Sequence, residues 1–553
     1  MLCLARYSLP VFGVLAAVGC VVEPDGDTST YATLGTLGET DSMGTSSSTG
    51  DGDGDDPDPV DPDEGTLAEG IAIDSVEINQ GVGIQIASGG QMLGANSWEA
   101  PLIGDRPGLM QVTWSLGPSF VPRPILARVT LTHADQSVDQ FEQTLTISGP
   151  PTEGFLDGSF SFEFGPGELR GGDSLVVGLF DPDPNAAPAT SGGSRLPAAG
   201  EAPLEVIGDP MRIKVMVVPA TDPAVDGGAY NPSAEIRAMM ETDLFNLYPV
   251  SAIEVEYHAP VAITNCYDGA SILSQLSSYR NGEALGANVY YHAVFPNSHE
   301  GYCWAGGMAW LVDDGMGADR VSYSVNHWGE SPNNFTHELG HSNGREHSFE
   351  DGAYQPSSSG SPDCGRRRTW GYPVQAGKHP KADEWSDFPP LATLDGWLIA
   401  PTEGLALTDY CHGHNDYPTY GPALNDVMSY AYPYWISAYT YRNLAARIQT
   451  LSSWDGASAA PSGESLHGVF LADGSVRWYR MAGQPTLEPD QSRGRVRGRV
   501  AGEAWESPLG LKRTGDGEVR GLIVPLPEFV EGELDIEFEG RELHVALDQV
   551  AAN

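Results

Sequence analysis

A chain of 553 residues exceeds one ordinary domain, so three or four folding units are expected. Hydrophobic residues make up 40% and aromatics 9%, enough to bury real cores, which excludes a wholly disordered chain. Acidic residues outnumber basic ones 75 to 29, for a formal net charge of −46. So few cations cannot line a basic groove, and nucleic acid is not an expected partner.

The first residues, Met1 to Cys20, place Arg6 ahead of an apolar run from Leu9 to Val18. That run has signal-peptide length and is too short for a lasting membrane span. Its end, Ala17-Val18-Gly19-Cys20, resembles a bacterial lipobox, in which cleavage precedes the cysteine and the thiol carries lipid. The alternative is an ordinary secretory signal with an incidental Cys20. No later segment has a membrane-spanning apolar run, so membrane attachment is expected only through that lipid. Residues 21–66 are Gly, Ser, Thr, Asp and Pro, without Lys or Arg, and read as a disordered acidic tether. Asp51, Asp53 and Asp55 imitate a calcium loop, but Asp56 and Pro62 stand where Gly and Glu are needed. Calcium is therefore possible but not indicated.

From 67 to 207 short runs alternate apolar and polar residues between Gly, Pro, Asp and Asn. IAIDSVEI, MQVTWSL, ILARVTLTH, FEQTLTIS, SFSFEF, SLVVGLF and PLEVIG predict the strands of a β-sandwich. His133 is alone there and reads as structural. From 208 to 455 strands alternate with helices, beginning with the buried strand IKVMVVPA. Asn231 and Pro232 predict a helix start, with Ile236, Met239, Met240 and Leu244 on its apolar face. IEVEY, VYYHAVF, GMAWLV and VSYSVNH read as further strands, and SILSQLSSYR as a helix. This succession predicts a mixed sheet with helices packed on it. From 456 to 553 the β pattern returns, ending in a hairpin around Glu539-Gly540.

Six cysteines are present, of which Cys3 leaves with the signal and Cys20 is the expected lipid site. Cys266, Cys303, Cys364 and Cys411 suggest two disulfides in an exported chain. Proximity in sequence favours Cys266–Cys303 and Cys364–Cys411, and the other pairings stay open.

The chemistry is carried by His337-Glu338-Leu339-Gly340-His341-Ser342-Asn343-Gly344-Arg345-Glu346-His347. Pro332, Asn333 and Asn334 are helix-start residues just ahead of it. On a helix His337 and His341 lie one turn apart on one face, so both imidazoles reach one ion. Gly344 permits a left-handed residue that ends the helix and lets His347 approach from a third direction. Three neutral imidazoles with an open position form a catalytic rather than a structural zinc arrangement. Glu338, next to the first ligand, is placed to take a proton from attacking water.

This motif, followed by Asn425-Asp426-Val427-Met428-Ser429-Tyr430, resembles the metzincin zinc metallopeptidases, of the secreted bacterial kind with flanking β-domains. The resemblance covers roughly 208–455. It implies an α+β catalytic domain, a mixed sheet with an active-site helix, between N-terminal and C-terminal β-sandwich-like domains. It further implies endopeptidase activity, one catalytic zinc held by His337, His341 and His347, and Met428 as the Met-turn beneath them. Tyr430 is placed like the tyrosine of astacin-like and serralysin-like members, which reaches the metal and stabilises the tetrahedral intermediate. A substrate strand would pair with a sheet edge near Gly306–Val312. The stretch between His347 and Met428 is longer than in compact metzincins and contains Arg366, Arg367, Arg368, Cys364, Cys411, His412 and His414. A cysteine-switch propeptide is not expected, because no Cys lies between Cys20 and Cys266. The calcium-binding repeats of serralysins are also missing.

The expected protein is thus a monomeric zinc metalloendopeptidase acting on protein or glycoprotein substrates. It is expected to be exported, as an outer-membrane or cell-surface lipoprotein or an extracellular protein. Two alternatives remain: a glycoprotein- or mucin-directed protease of narrow specificity, and an adhesin-like binding lipoprotein with an inactive zinc domain.

Overall fold

The computed structural model describes residues 62–347 and 425–552 apart from short breaks. Between them it describes only the backbone of short strands such as Arg366–Arg367, Tyr372–Pro373 and Trp397–Ile399. Strands that alternate inward apolar and outward polar side chains need a second layer to bury their apolar face. The N-terminal residues supply both layers. Strands β1 (Ile71–Asn79), β2 (Gly83–Ser88), β3 (Gly108–Leu116), β4 (Arg123–Thr132), β5 (Val138–Ile147), β6 (Phe160–Phe164) and β7 (Ser174–Asp181) are antiparallel. One sheet runs β2-β1-β3-β6 and the other β7-β4-β5. Ile73, Val76, Val112 and Phe160 of the first meet Ile125, Val129, Leu175 and Val177 of the second in one core. Each such side chain contributes roughly 1.5–3 kcal/mol by burial. His133 sits in this sandwich with its ring nitrogens 2.8 and 2.9 Å from Asp173 and Asp139.

Two differences from the sequence expectations have simple causes. PLEVIG is split between two two-residue strands, Ala202–Pro203 against β7 and Val206–Ile207, the latter paired in parallel with Leu102–Ile103. β2 was not anticipated, because glycines at both ends disguise the alternation of Ile84 and Ile86.

The central residues form a sheet in the order β9-β8-β10-β12-β11. Its strands are β8 (Arg212–Thr221), β9 (Ala252–Tyr257), β10 (Val289–Phe295), β11 (Gly307–Ala309) and β12 (Val321–Val325). The first four in that order are parallel, whereas the short edge strand β11 runs antiparallel to β12. Parallel pairing requires crossovers, and α1 (Ala234–Leu247) and α2 (Gly269–Gly282) supply two. α1 starts later than Asn231-Pro232 suggested. Ser233 is its cap, its side chain accepting from the Ile236 amide. α3 (Pro332–Ser342) packs on β11, β12 and α1, and α4 (Ala438–Ser452) packs on β8. Cys266 and Cys303 are joined by a disulfide that ties the start of α2 to the segment before β11. Cys20, Cys364 and Cys411 lie outside the described residues.

The C-terminal residues form two more sheets, β17-β18-β13-β14 and β16-β15-β19-β20, antiparallel apart from Ala551–Ala552, which pairs in parallel with β14. In chain order these are β13 (Glu464–Phe470), β14 (Val476–Ala482), β15 (Gly494–Val500), β16 (Glu503–Pro508), β17 (Gly510–Arg513), β18 (Val519–Leu526), β19 (Val530–Phe538) and β20 (Arg541–Ala546). Leu466, Leu522 and Val524 of one sheet bury against Val496, Leu534 and Ile536 of the other.

Both flanking sandwiches dock on the centre. Arg106, fully buried, donates to the carbonyls of Gln80 (2.9 Å), Val250 (2.7 Å) and Asn246 (3.1 Å), bridging the N-terminal sandwich to the end of α1. On the other side Val469, Tyr479, Met481 and Ile523 share a core with Trp310, Val321 and Tyr323. Among the described residues no helix is long and apolar enough to cross a membrane.

Candidate metal centre

α3 carries the central motif, and its ending decides where the third histidine goes. Gly344 adopts φ +76°, a left-handed conformation that a side chain disfavours. The Gly344 amide donates to the His341 carbonyl at 2.8 Å and the Arg345 amide to the Gly340 carbonyl at 3.0 Å. This pair of bonds is a Schellman ending, which stops the helix and reverses the chain. His347 is thereby turned back toward α3. Asn343 fixes the same corner, its Oδ1 accepting from the Tyr290 hydroxyl at 2.6 Å.

The donor nitrogens of His337, His341 and His347 all lie within 4.8 Å of one another, and all three residues are buried. Nε2 of His337 is 3.0 Å from Nε2 of His341 and 3.3 Å from Nε2 of His347. Tetrahedral zinc with imidazole bonds of 2.0–2.1 Å holds its nitrogens about 3.3 Å apart. The other ring nitrogens settle the tautomers. Nδ1 of His337 lies 2.7 Å from the Val427 carbonyl, and Nδ1 of His341 lies 2.6 Å from the Arg345 carbonyl. A carbonyl only accepts, so each Nδ1 carries the proton and each Nε2 turns a lone pair inward. Burial, then the neighbouring imidazoles, holds His341 well below the usual histidine range. Burial, then His337, pushes His347 down to about 3. His341 and His347 are therefore neutral near pH 7. Converging neutral lone pairs repel one another unless a cation lies between them, so this donor set fits a metal ion.

Glu338 follows His337 on α3 and is buried. Its carboxylate packs against Gly307 at the start of β11, where a Cβ would overlap it. The Asn334 side-chain Nδ2 donates to the Gly306 carbonyl at 3.1 Å, holding the start of α3 to the same edge strand. Beneath the helix, Met428 is fully buried in the turn after Asn425–Asp426, a strand paired with Tyr434–Trp435. Its sulfur occupies the space beside Gly340. The same turn presents the Val427 carbonyl that orients His337. Tyr430, His412 and His414 lie outside the described residues.

Sequence reasoning did not find Val427, Arg345, Gly307 or Gly515. The first two act through backbone carbonyls, which leave no trace in residue identity. The two glycines act by leaving room for Glu338 and His341, a requirement set by chain segments remote in sequence.

Comparison with known proteins agrees with this geometry. Residues 246–380 match Reprolysin_5, metallo-peptidase family M12. The matched span contains α3 and all three histidines and supports a zinc metallopeptidase; it ends before Met428. A comparison with curated proteins finds no match. One solved structure, described as a calcium binding mutant of Bacteroides uniformis beta-glucuronidase 2, aligns at 8% identity and a TM-score of 0.13. The alignment covers 86% of this chain and 60% of that one, and likeness this slight says nothing of fold or function.

Proposed function

We propose that the protein is an exported zinc endopeptidase of metzincin type, in which Glu338 is the general base. One observation carries the reading: three buried imidazoles, two with Nδ1 pinned to carbonyls, converge their Nε2 atoms one residue from a buried carboxylate. His337, His341 and His347 would hold the ion. Bound zinc supplies Lewis-acid polarisation of the attacking water and the scissile carbonyl. Glu338 takes a proton from that water as its oxygen attacks the carbonyl carbon. It returns the proton to the amide nitrogen as the C–N bond breaks, so the leaving group departs as an amine. Met428 gives the ligands an apolar floor, and Tyr430 is assigned the oxyanion role on sequence grounds alone. Export, a lipid at Cys20, and protein or glycoprotein substrates belong to the same proposal and rest on the sequence.

The test uses the full zinc-loaded chain with gelatin and casein, with and without a chelator, beside Glu338→Gln. Chelator-sensitive cleavage that disappears in the variant, with zinc content unchanged, is the expected result. Equal cleavage by the variant would remove Glu338 from the mechanism.

A further inference from the structure

The edge of the central sheet beside the histidines is already paired, and the partner is the chain itself. The Leu311 amide donates to the Arg513 carbonyl at 2.9 Å, and the Gly515 amide to the Ala309 carbonyl at 3.1 Å. Trp310 and Thr514 face each other as an antiparallel bridge between them. The segment Arg513–Gly515, at the end of β17, thus extends the sheet past its edge strand β11. It does so at the metal centre. A Cβ on Gly515 would overlap the imidazole of His341, so the C-terminal backbone lies directly against a candidate ligand. Arg513 also faces Glu346, the residue before His347, across 4.0 Å.

An extended peptide reaching a metal site beside a sheet edge binds by adding a strand to that edge, through the same main-chain groups. β11 packs on α3, with Gly307 against the Glu338 carboxylate, so its outer edge, the one away from β12, lies next to the reacting groups. Arg513–Gly515 uses the Leu311 amide and the Ala309 carbonyl, which a substrate strand would need. We propose that this segment is an intramolecular occupant of the substrate groove, and that the conformation described is a self-blocked, latent form. The consequence for activity rests on the peptidase reading above; the occupancy does not.

The attachment is uneven, and this makes local release the expected route to opening. Lys512 is fixed. It is fully buried, its Nζ 2.6 Å from Asp319 Oδ1 and 2.7 Å from the Tyr479 hydroxyl, over the Trp310 ring at 4.4 Å. Beyond Lys512, Arg513 pairs with Val519 of β18 and the Thr514 amide donates to the Glu518 carbonyl at 3.1 Å, so these residues form one hairpin end; only the two bonds to β11 named above and one long, partly exposed ion pair tie that end to the central sheet. Such an ion pair is weak. Lys512 therefore acts as the fixed base of a hairpin end, Arg513 to Val519, that lifts from β11 as a unit while the sandwich stays docked. A substrate strand competes with the hairpin end, and its apparent affinity falls by the fraction of molecules that are open.

The test follows amide hydrogen exchange in the full-length, zinc-loaded protein. Arg513→Glu places like charges at Glu346 and should speed exchange at Gly515 several-fold; Glu346→Arg with Arg513→Glu should return it toward the wild-type rate. Saturation with a peptide hydroxamate should speed exchange at Gly515 while the Leu311 amide stays protected, now by the probe. Cleavage of a fluorogenic peptide should rise in Arg513→Glu in step with exchange. Gly515 exchange unchanged both in Arg513→Glu and under the hydroxamate would overturn the proposal. Faster exchange in both arms with no cleavage by any variant would uphold the occupancy and defeat the peptidase reading instead.

Discussion

The sulfur of Met428 occupies the space that a Cβ on Gly340 would take, so the turn after Asn425–Asp426 reaches the backbone of α3 with no side chain of the helix in the way. The contact lies one residue before His341, and the neighbouring Val427 carbonyl orients His337. Gly340→Ala forces Met428 away and should cost about 1–3 kcal/mol, the usual penalty of overpacking. It should also weaken zinc affinity, because the same turn sets the His337 tautomer. Met428→Ala reopens the space, so the double variant should lose less than the two single losses added together. Chemical denaturation of the four proteins measures the coupling, and strict additivity would show that the contact is not close.

Metal removal should lower stability by mass action. Three preorganised imidazoles fit a zinc ion in the folded chain, whereas the unfolded chain offers no such cluster. At a thousandfold excess of free zinc over its dissociation constant the gain is about 4 kcal/mol. The melting temperature should therefore fall on chelation and recover when zinc is restored. His337→Ala should melt near the chelated wild type and respond to neither treatment. A shift on chelation that survives in His337→Ala would place the metal elsewhere.

The legibility of this molecule follows the range of the interactions. Alternation is local, so the strands around Ile125–His133 and Met110–Leu116 stood out, and they are β4 and β3. β16 did not, because Glu503–Pro508 has no apolar face and lies largely exposed. Helical spacing is local too, which made His337 and His341 readable as one face, and Gly344 as the turn that brings in His347. Met428 was legible only through the family pattern, since 81 residues separate it from His347 and no periodicity connects them. Gly515 was not legible at all. Its meeting with His341 depends on how the C-terminal sandwich docks, through Lys512 and Trp310, on the central sheet.

His292 on β10 predicts an acid limb of stability. It is fully buried, with Nδ1 2.8 Å from the Ser322 hydroxyl and Nε2 2.9 Å from that of Ser324. Burial pushes its pKa down to about 3. The unfolded histidine titrates near about 6.5. Below that pH the unfolded chain binds a proton that the folded chain refuses, so stability falls as pH drops. The loss is about 1.4 kcal/mol per pH unit until the folded pKa is reached. In the metal-free chain His341 and His347 act in the same direction. His292→Asn should reduce the slope of unfolding free energy against pH by one proton between about pH 4 and 6. Urea titrations of the chelated proteins give both slopes, and equal slopes would mean that His292 takes up its proton in the folded state.

Arg106 predicts how tightly the N-terminal sandwich is held. Its guanidinium joins the Gln80 carbonyl to the carbonyls of Asn246 and Val250 at the end of α1, and lies 4.8 Å over the Phe245 ring. A cation there also meets the negative end of the helix dipole. Lys cannot reproduce this, because one ammonium does not span three carbonyls held apart by a planar fork. Arg106→Met should cost about 2–4 kcal/mol, since buried carbonyls lose their donor and no water replaces it readily. Arg106→Lys should recover only part of that loss. The expected signature is a change from one thermal transition to two, the earlier one belonging to the sandwich, because the Arg106 bonds cross from Gln80 in that domain to α1 in the next. α1 packs on α3, so the earlier transition should also be accompanied by weaker zinc binding. A single transition at the wild-type temperature in Arg106→Met would show that the shared apolar surface alone holds the domains together.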